Sequence, residues 1–280
     1  MTKAFLGTGL LGSNFVKAML SKGEQVNVWN RTMAKAVALE ADGAKAFDNA
    51  AKAVEDADMI HLTLKDDAAV DEVLSAAAPG LKPGAVIVDH STTSAEGAIR
   101  RTQYFKDAGY RYLHAPVFMG PINALESSGV MLVSGDQEFI LSIKPELSKM
   151  TGKVMDFGEQ EGKAAGIKLI GNLFLIALTA GLADGLQLAK ALDISPDDLI
   201  GLFSDWNPAT SLTGRLKKMS AGDFSNPSWE LAMARKDAGL MIATAENGGQ
   251  KLMTTPAIAE VMDSWIDKGH GSEDWMIISK

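Results

Sequence analysis

An α/β domain on a mostly parallel sheet, followed by an all-helical domain, is the architecture this 280-residue sequence predicts. Three observations predict it. Strand-like and helix-like segments alternate through residues 1–161, which implies parallel strands with helices on both faces. From residue 162 onward strand-like alternation gives way to long apolar-periodic helical segments. The first helical segment, 162–192, is apolar nearly all round and connects the two regimes. The expected domains are therefore 1–161 and 162–280, with 162–192 as the interdomain helix.

The elements follow from their residues in order. Residues 3–6 form a short apolar strand, and Gly7-Thr8-Gly9-Leu10-Leu11-Gly12 turns the chain into a helix running to about Leu20. Residues 25–29 alternate and are β-prone. Residues 59–64 (MIHLTL) read as a buried strand and 67–77 as a helix, and Pro79-Gly80 with Pro83-Gly84 mark turns. A strand at 85–89, a helix at 94–108 and strands at 110–115 and 130–134 complete the alternation. The 162–192 helix would extend about 45 Å at 1.5 Å per residue, more than a domain of this size covers. A helix apolar on all sides must be buried on all sides, so it is expected to pack against a second subunit in a homodimer or homotetramer. Ser195-Pro196-Asp197-Asp198 begins the next helix, with a side-chain cap, proline in the first turn and acidic charge at the positive end of the dipole.

Composition narrows the function. A hydrophobic share of 46% supports two moderate cores, and a net charge of −8 argues against nucleic acid or an anionic membrane as principal partner. No cysteine is present, which excludes disulfides, thiolate nucleophiles and cysteine-ligated zinc, and suits a reducing cytoplasm. His61, His90, His114 and His270 are isolated in sequence, so no metal site is expected. The start, Met1-Thr2-Lys3 before apolar residues, imitates a secretory signal, but Gly7, Gly9 and Gly12 interrupt it and it reads as strand, turn and helix. Residues 169–183 are uncharged, yet this stretch is shorter than the roughly 20 residues a bilayer requires and reads as a buried helix.

The glycine turn carries the first chemistry. In the G-x-G-x-x-G of a Rossmann domain, Gly7 allows the tight turn, Gly9 lets the backbone approach a pyrophosphate, and Gly12 lets helix and strand pack closely. The cofactor's negative charge meets free amides at the helix start. About 20 residues on, where this fold contacts the adenine ribose, stand Asn30, Arg31 and Thr32, with no carboxylate to bind a free 2′-hydroxyl or repel a 2′-phosphate. Arg31 offers paired donors to a phosphate, so NADP(H) is the expected cofactor.

Lys168 and Asn172 are spaced i, i+4 and share one face of an apolar helix. Taken alone they read as a snorkelling lysine and a bridging asparagine. Behind a dinucleotide domain they are the best candidate for the catalytic donor.

On these motifs the chain resembles the β-hydroxyacid dehydrogenase family over essentially its whole length. Gly7 to Gly12 with Asn30-Arg31-Thr32 is similar to the family's NADP-type motif, and Thr63-Leu64 followed by Val70 resembles the segment beside the nicotinamide ribose. Asp89-His90-Ser91-Thr92 resembles its D-x-S-T, Lys168 and Asn172 its K-x-x-x-N, and Lys236-Asp237 its late K-D motif. The resemblance implies reversible hydride transfer between NADP(H) and a small aldehyde acid in a cleft between the domains. Lys168 would act as general acid/base and Asn172 would orient the substrate. Ser91 and Thr92 would contact the substrate, and Lys236 would lie near the cofactor.

Two segments depart from the pattern. Where many members have G-P-V-S-G-G, this chain reads Ala115-Pro116-Val117-Phe118-Met119-Gly120-Pro121, so Phe118 and Met119 beside Gly120 either pack under the loop or reshape the pocket for a less polar substrate. Upstream of Lys168, the usual G-x-G reads Gly162-Lys163-Ala164. Trp206 and Asn207 either line the pocket or serve as a packing tryptophan and a turn asparagine. Imine reductases share this architecture but generally place another residue at the position of Lys168, and a non-catalytic NADP(H)-binding module is the third reading. A short-chain dehydrogenase would need Tyr-x-x-x-Lys and a hydrolase G-x-S-x-G, and neither occurs.

Overall fold

β1 (Thr2–Leu6) buries four of its five residues and forms the spine of a six-stranded sheet. In the computed structural model, which describes every residue from Met1 to Lys280, this sheet also contains β2 (Gln25–Trp29), β3 (Lys45–Phe47), β4 (Met59–Leu62), β5 (Val86–Asp89) and β6 (Arg111–His114). Every pairing is parallel, in the order β3-β2-β1-β4-β5-β6. All four residues of β4 are buried, as a strand covered on both faces requires. The order reverses at β1, so the ends of β1 and β4 flank the crevice where such sheets bind ligands.

Side-chain alternation divides the core. Phe5, Val28, Met59 and Val88 face one way and pack with α1 (Leu10–Ser21), whereas Leu6, Ile60, Leu62 and Ile87 face the other. The second face is covered by α3 (Ala50–Val54), α4 (Asp67–Ala77) and α5 (Ala95–Asp107), with the short α2 (Met33–Val37) preceding β3. The strand expected at 130–134 forms, but in a separate sheet: β8 (Val130–Val133) pairs antiparallel with β7 (Val117–Phe118) and parallel with β9 (Lys153–Asp156). α6 (Pro121–Glu126) and α7 (Gln137–Ser148) complete this part.

By packing, the chain divides into Met1–Asn172 and Leu173–Lys280, so the division falls inside α8 (Lys163–Ala191) rather than at 161/162. The physical reason is local. Ala164 and Ala165 at the start of α8 are buried, and the Ala164 amide donates to Ser134 Oγ at 2.9 Å. The expected all-round burial of the long helix is not met within one chain. Ile170, Leu173, Leu175, Ile176, Leu182 and Leu186 are exposed, and α8 is long and apolar enough to cross a membrane by length and composition. Its 29 residues make it about 43 Å long.

The second unit gathers α9 (Pro196–Asp205), α10 (Leu212–Ala221), α11 (Leu231–Asn247) and α12 (Thr255–Trp265), with Phe224, Leu231, Ala234, Met262 and Ile277 in its core. Ser195 caps α9 as its sequence predicts, accepting from the Asp198 amide in a reciprocal box. Asp184 of α8 caps the start of α12 from outside, accepting from the amides and hydroxyls of Thr254 and Thr255. Burial alone would raise its pKa, but these bonds and the Met253 amide hold the carboxyl well below the usual range.

Candidate active site

The glycine turn has the shape that its spacing demands. Gly7 sits at φ +95°, and a Cβ there would lie 2.3 Å from the Thr63 carbonyl oxygen. At Gly12 a Cβ would lie 2.0 Å from the Gly7 oxygen, so neither position tolerates a side chain. Gly9 differs, because a Cβ there would meet nothing within 4 Å. Its backbone is open at the start of α1, where Leu10 is exposed, Leu11 is half-buried and the first-turn amides have no helical acceptor. The Thr8 hydroxyl is buried without a partner. An open glycine backbone, spare amides and an orphaned hydroxyl fit a dinucleotide diphosphate.

The end of β2 carries the remaining cofactor-side candidates. Asn30 is turned inward, its Oδ1 accepting from the Thr8 amide at 3.1 Å and its Nδ2 donating to the Thr32 carbonyl at 3.0 Å. Asn30 thus ties the two motif segments together, while Arg31 and Thr32 remain exposed. Thr63 Oγ1 donates to the Gly7 carbonyl at 3.0 Å, which braces the turn. Leu64 is fixed through its amide, which donates to Ser91 Oγ at 2.9 Å.

Ser91 is therefore buried and already engaged, with its hydroxyl proton still available to donate, while Thr92 beside it is half-buried. Its backbone is set by a chain of contacts that sequence reasoning missed. The Ser91 amide donates to Asp89 Oδ1 at 2.8 Å, and Tyr112 Oη donates to Asp89 Oδ2 at 2.7 Å. Arg101 Nε donates to Tyr112 Oη at 3.0 Å, and its guanidinium pairs with Asp67 and Asp71 at 2.8 and 3.0 Å. Alternation on β6 marks Tyr112 as inward, but nothing in the sequence pairs it with Asp89.

Lys168 is 8% exposed, and burial lowers its pKa from the ordinary lysine value. No carboxylate pairs with it; its partner is the ring of Phe118, whose centroid lies 4.2 Å from Nζ. Asn172, one turn on, is half-buried and its side-chain amide makes no hydrogen bond within the chain. The two bulky residues of the departing loop divide their tasks. Met119 packs on the sheet core and over Gly129, whereas Phe118 turns to Lys168 and α8. The Gly120 amide is taken by Asn123 Oδ1 at 2.9 Å at the start of α6.

Other candidates lie in the second unit. Lys236 on α11 is exposed, with Nζ 3.0 Å from Asp237. Trp206 ends α9 and is exposed, and Asn207 caps the following turn through the Ala209 amide. Two histidines that look isolated in sequence are neighbours in space. His61 and His90 stack with centroids 5.3 Å apart, and His61 Nδ1 lies 3.0 Å from His90 Nε2.

Residues 2–158 match the family model described as the NAD binding domain of 6-phosphogluconate dehydrogenase, more than half of the chain. The chain belongs to this NAD(P)-binding oxidoreductase family. It is 25% identical over 285 residues to an uncharacterised oxidoreductase, YfjR, of Bacillus subtilis, covering 100% of this chain and 99% of that protein. It is 26% identical to the 2-(hydroxymethyl)glutarate dehydrogenase of Eubacterium barkeri, covering 99% and 93%. Other curated relatives, nuclear factors named N-PAC, are longer, and the chain spans about half of their length. Among solved structures, an imine reductase from Myxococcus stipitatus in complex with NADP+ superposes with a TM-score of 0.91 over 100% of this chain and 99% of that one. At 22% identity, that likeness establishes the two-part fold. The family and these relatives agree with the resemblance to β-hydroxyacid dehydrogenases.

Proposed function

We propose that this protein is an NADP(H)-dependent oxidoreductase that interconverts a small β-hydroxyacid and its semialdehyde, with Lys168 as general acid/base. The observation that carries the reading is the unpaired, buried Lys168 amine with the free amide of Asn172 one turn along the same helix. An unperturbed lysine, near pKa 10.4, holds its proton too tightly to exchange it well at neutral pH, and burial lowers that barrier.

Gly9 and the first turn of α1 would hold the diphosphate, and Arg31 with Thr32 the ribose phosphate. The cofactor, when bound, supplies or accepts the hydride. Lys168 gives its ammonium proton to the carbonyl oxygen as reduction proceeds, and its neutral form removes the hydroxyl proton in the reverse direction. Asn172 donates a hydrogen bond that orients the same oxygen, and Ser91 binds the substrate's carboxylate.

The test follows NADPH and NADH consumption with small semialdehydes and cyclic imines. Turnover of a semialdehyde with a preference for NADPH supports the reading. Turnover of imines alone moves the protein to the imine-reductase alternative, and cofactor binding without any turnover to a binding module. Arg31→Asp is expected to lower the NADPH preference roughly tenfold or more, because a carboxylate repels the 2′-phosphate that Arg31 pairs with. An unchanged ratio of kcat/KM values for the two cofactors removes Arg31 from the site.

The exposed apolar residues of α8 form a continuous patch of a kind monomers rarely present to water. A second copy of the chain is the proposed cover, giving at least a homodimer. Sedimentation should report twice the 29.7 kDa chain mass or a higher multiple. A monomer at micromolar concentration rules it out.

A further inference from the structure

Phe118 has a neighbour on α8 besides Lys168. A Cβ built on Gly171 would lie 2.2 Å from Phe118 Cζ and 2.7 Å from Cε1, so the ring rests on the bare backbone of that helical turn. Gly weakens a helix interior relative to Ala, and here the ring occupies the space that Ala would need. Lys168 and Gly171 are three residues apart and therefore neighbours on one helix face. The ring edge meets one and the ring face meets the other, at 4.2 Å from Nζ.

We propose that Phe118, seated by Gly171, positions the Lys168 amine and selects aldehyde acids whose second substituent beside the reacting carbonyl, next to the carboxylate that Ser91 binds, is alkyl rather than hydroxyl. The proposal rests on the reading of Lys168 as the proton donor. The ring closes one side of the amine, so a carbonyl oxygen within hydrogen-bond reach of Nζ brings its neighbouring substituent against an aromatic surface. That surface offers no donor or acceptor. A hydroxyl set there loses its water without replacement, whereas a methyl group gains burial. The ring also constrains the amine electrostatically, because its negative face attracts the ammonium. Burial lowers the Lys168 pKa, and no carboxylate pairs with the amine.

Three variants test this: Phe118→Leu keeps an apolar cover without the aromatic face, Phe118→Ser opens the cover, and Gly171→Ala pushes an unaltered ring away. Two readouts are needed. The first is the pH dependence of Lys168 acylation by acetic anhydride, followed by mass spectrometry with Lys236 as internal reference. Phe118→Leu should lower the Lys168 titration point by roughly half to one pH unit. Gly171→Ala should lower it in the same direction, and should add nothing in the Phe118→Leu background.

The second readout is the ratio of kcat/KM for an α-methyl over an α-hydroxy aldehyde acid. The unaltered protein should favour the methyl compound roughly tenfold, and Phe118→Ser should bring the ratio near unity. Circular dichroism checks that each variant is folded. A Lys168 titration point unmoved by Phe118→Leu and Gly171→Ala overturns the positioning role, and a ratio unchanged in Phe118→Ser overturns the selection. If the unaltered protein reduces no aldehyde, the proposed function fails and the selection with it, while the acylation profile still decides the Phe118–Lys168 coupling.

Discussion

Lys168→Ala is expected to reduce kcat/KM for the semialdehyde by roughly 10²- to 10⁴-fold while leaving NADPH affinity nearly unchanged, the range that loss of a general acid typically produces. Alanine keeps the helix and removes the one amine that shares a face with Asn172. Lys168→Arg separates charge from proton transfer. A guanidinium keeps its proton throughout the accessible range, so a variant that is charged but inactive points to transfer rather than to attraction of the substrate. The pH profile has a fixed sign. Reduction needs the protonated amine, so its rate holds below the Lys168 pKa and falls above it. Oxidation needs the free amine and rises toward the same value. Because burial lowers that value, the break should come at a lower pH than for an ordinary lysine. Initial rates between pH 6 and 10 in both directions, with cofactor affinity from NADPH fluorescence, make the measurement. Full activity in Lys168→Ala removes the lysine from the mechanism.

What the sequence disclosed depends on how each feature is encoded. The strand–turn–helix of residues 2–21 was legible because its glycines answer to local backbone geometry, as the close approaches at Gly7 and Gly12 make plain. β4 and β5 were legible as apolar runs between turn signals. β3 was not, since three residues (Lys45–Phe47) are too few to display a period of two. α7 carries Pro145 inside the helix, which reads as a breaker, and β7 has only two residues. The same contrast holds in the site. Lys168 and Asn172 show themselves through i, i+4 spacing, whereas the approach of Phe118 to Lys168 joins residues 50 positions apart. No local pattern announces that contact, and the substitution of a bulky ring in a loop was ambiguous until its neighbours were known. Asp89, Tyr112 and Arg101 share this property, because their connection runs across two strands and a helix.

Mild acid is expected to destabilise the sheet unit. His61, His90 and His114 are buried, and burial lowers the pKa of each, that of His90 to about 4. Hydrogen bonding explains why a further proton is not accommodated. His90 Nδ1 donates to the Ala115 carbonyl at 2.9 Å, which leaves Nε2 to accept from His61 Nδ1 at 3.0 Å. Protonated His90 would present a hydrogen where it must accept one. His61 Nε2 and His114 Nδ1 are buried with no partner, so a charge on either ring would lack an acceptor. The folded state keeps these rings neutral, whereas the unfolded chain takes up protons near pH 6.5. The unfolded state thus binds more protons between pH 6.5 and the folded pKa values, and stability falls as pH drops through that window. For His90 alone the interval from 6.5 to about 4 amounts to about 3 kcal/mol, a large part of a typical domain's stability of roughly 5–15 kcal/mol. Depressed carboxylates act at lower pH, Asp274 for example at about 2, so they leave the histidine window undisturbed. Urea unfolding at pH 7.5, 6.0 and 5.0 should show a falling midpoint, with hydrogen exchange accelerating first in β4, β5 and β6. His114 Nε2 contacts the Ser91 carbonyl at 2.9 Å, so the loop carrying Ser91 should loosen with them and turnover should fall in the same range. A midpoint that stays constant from pH 7.5 to 5.0 would show that these histidines are not held neutral by the fold.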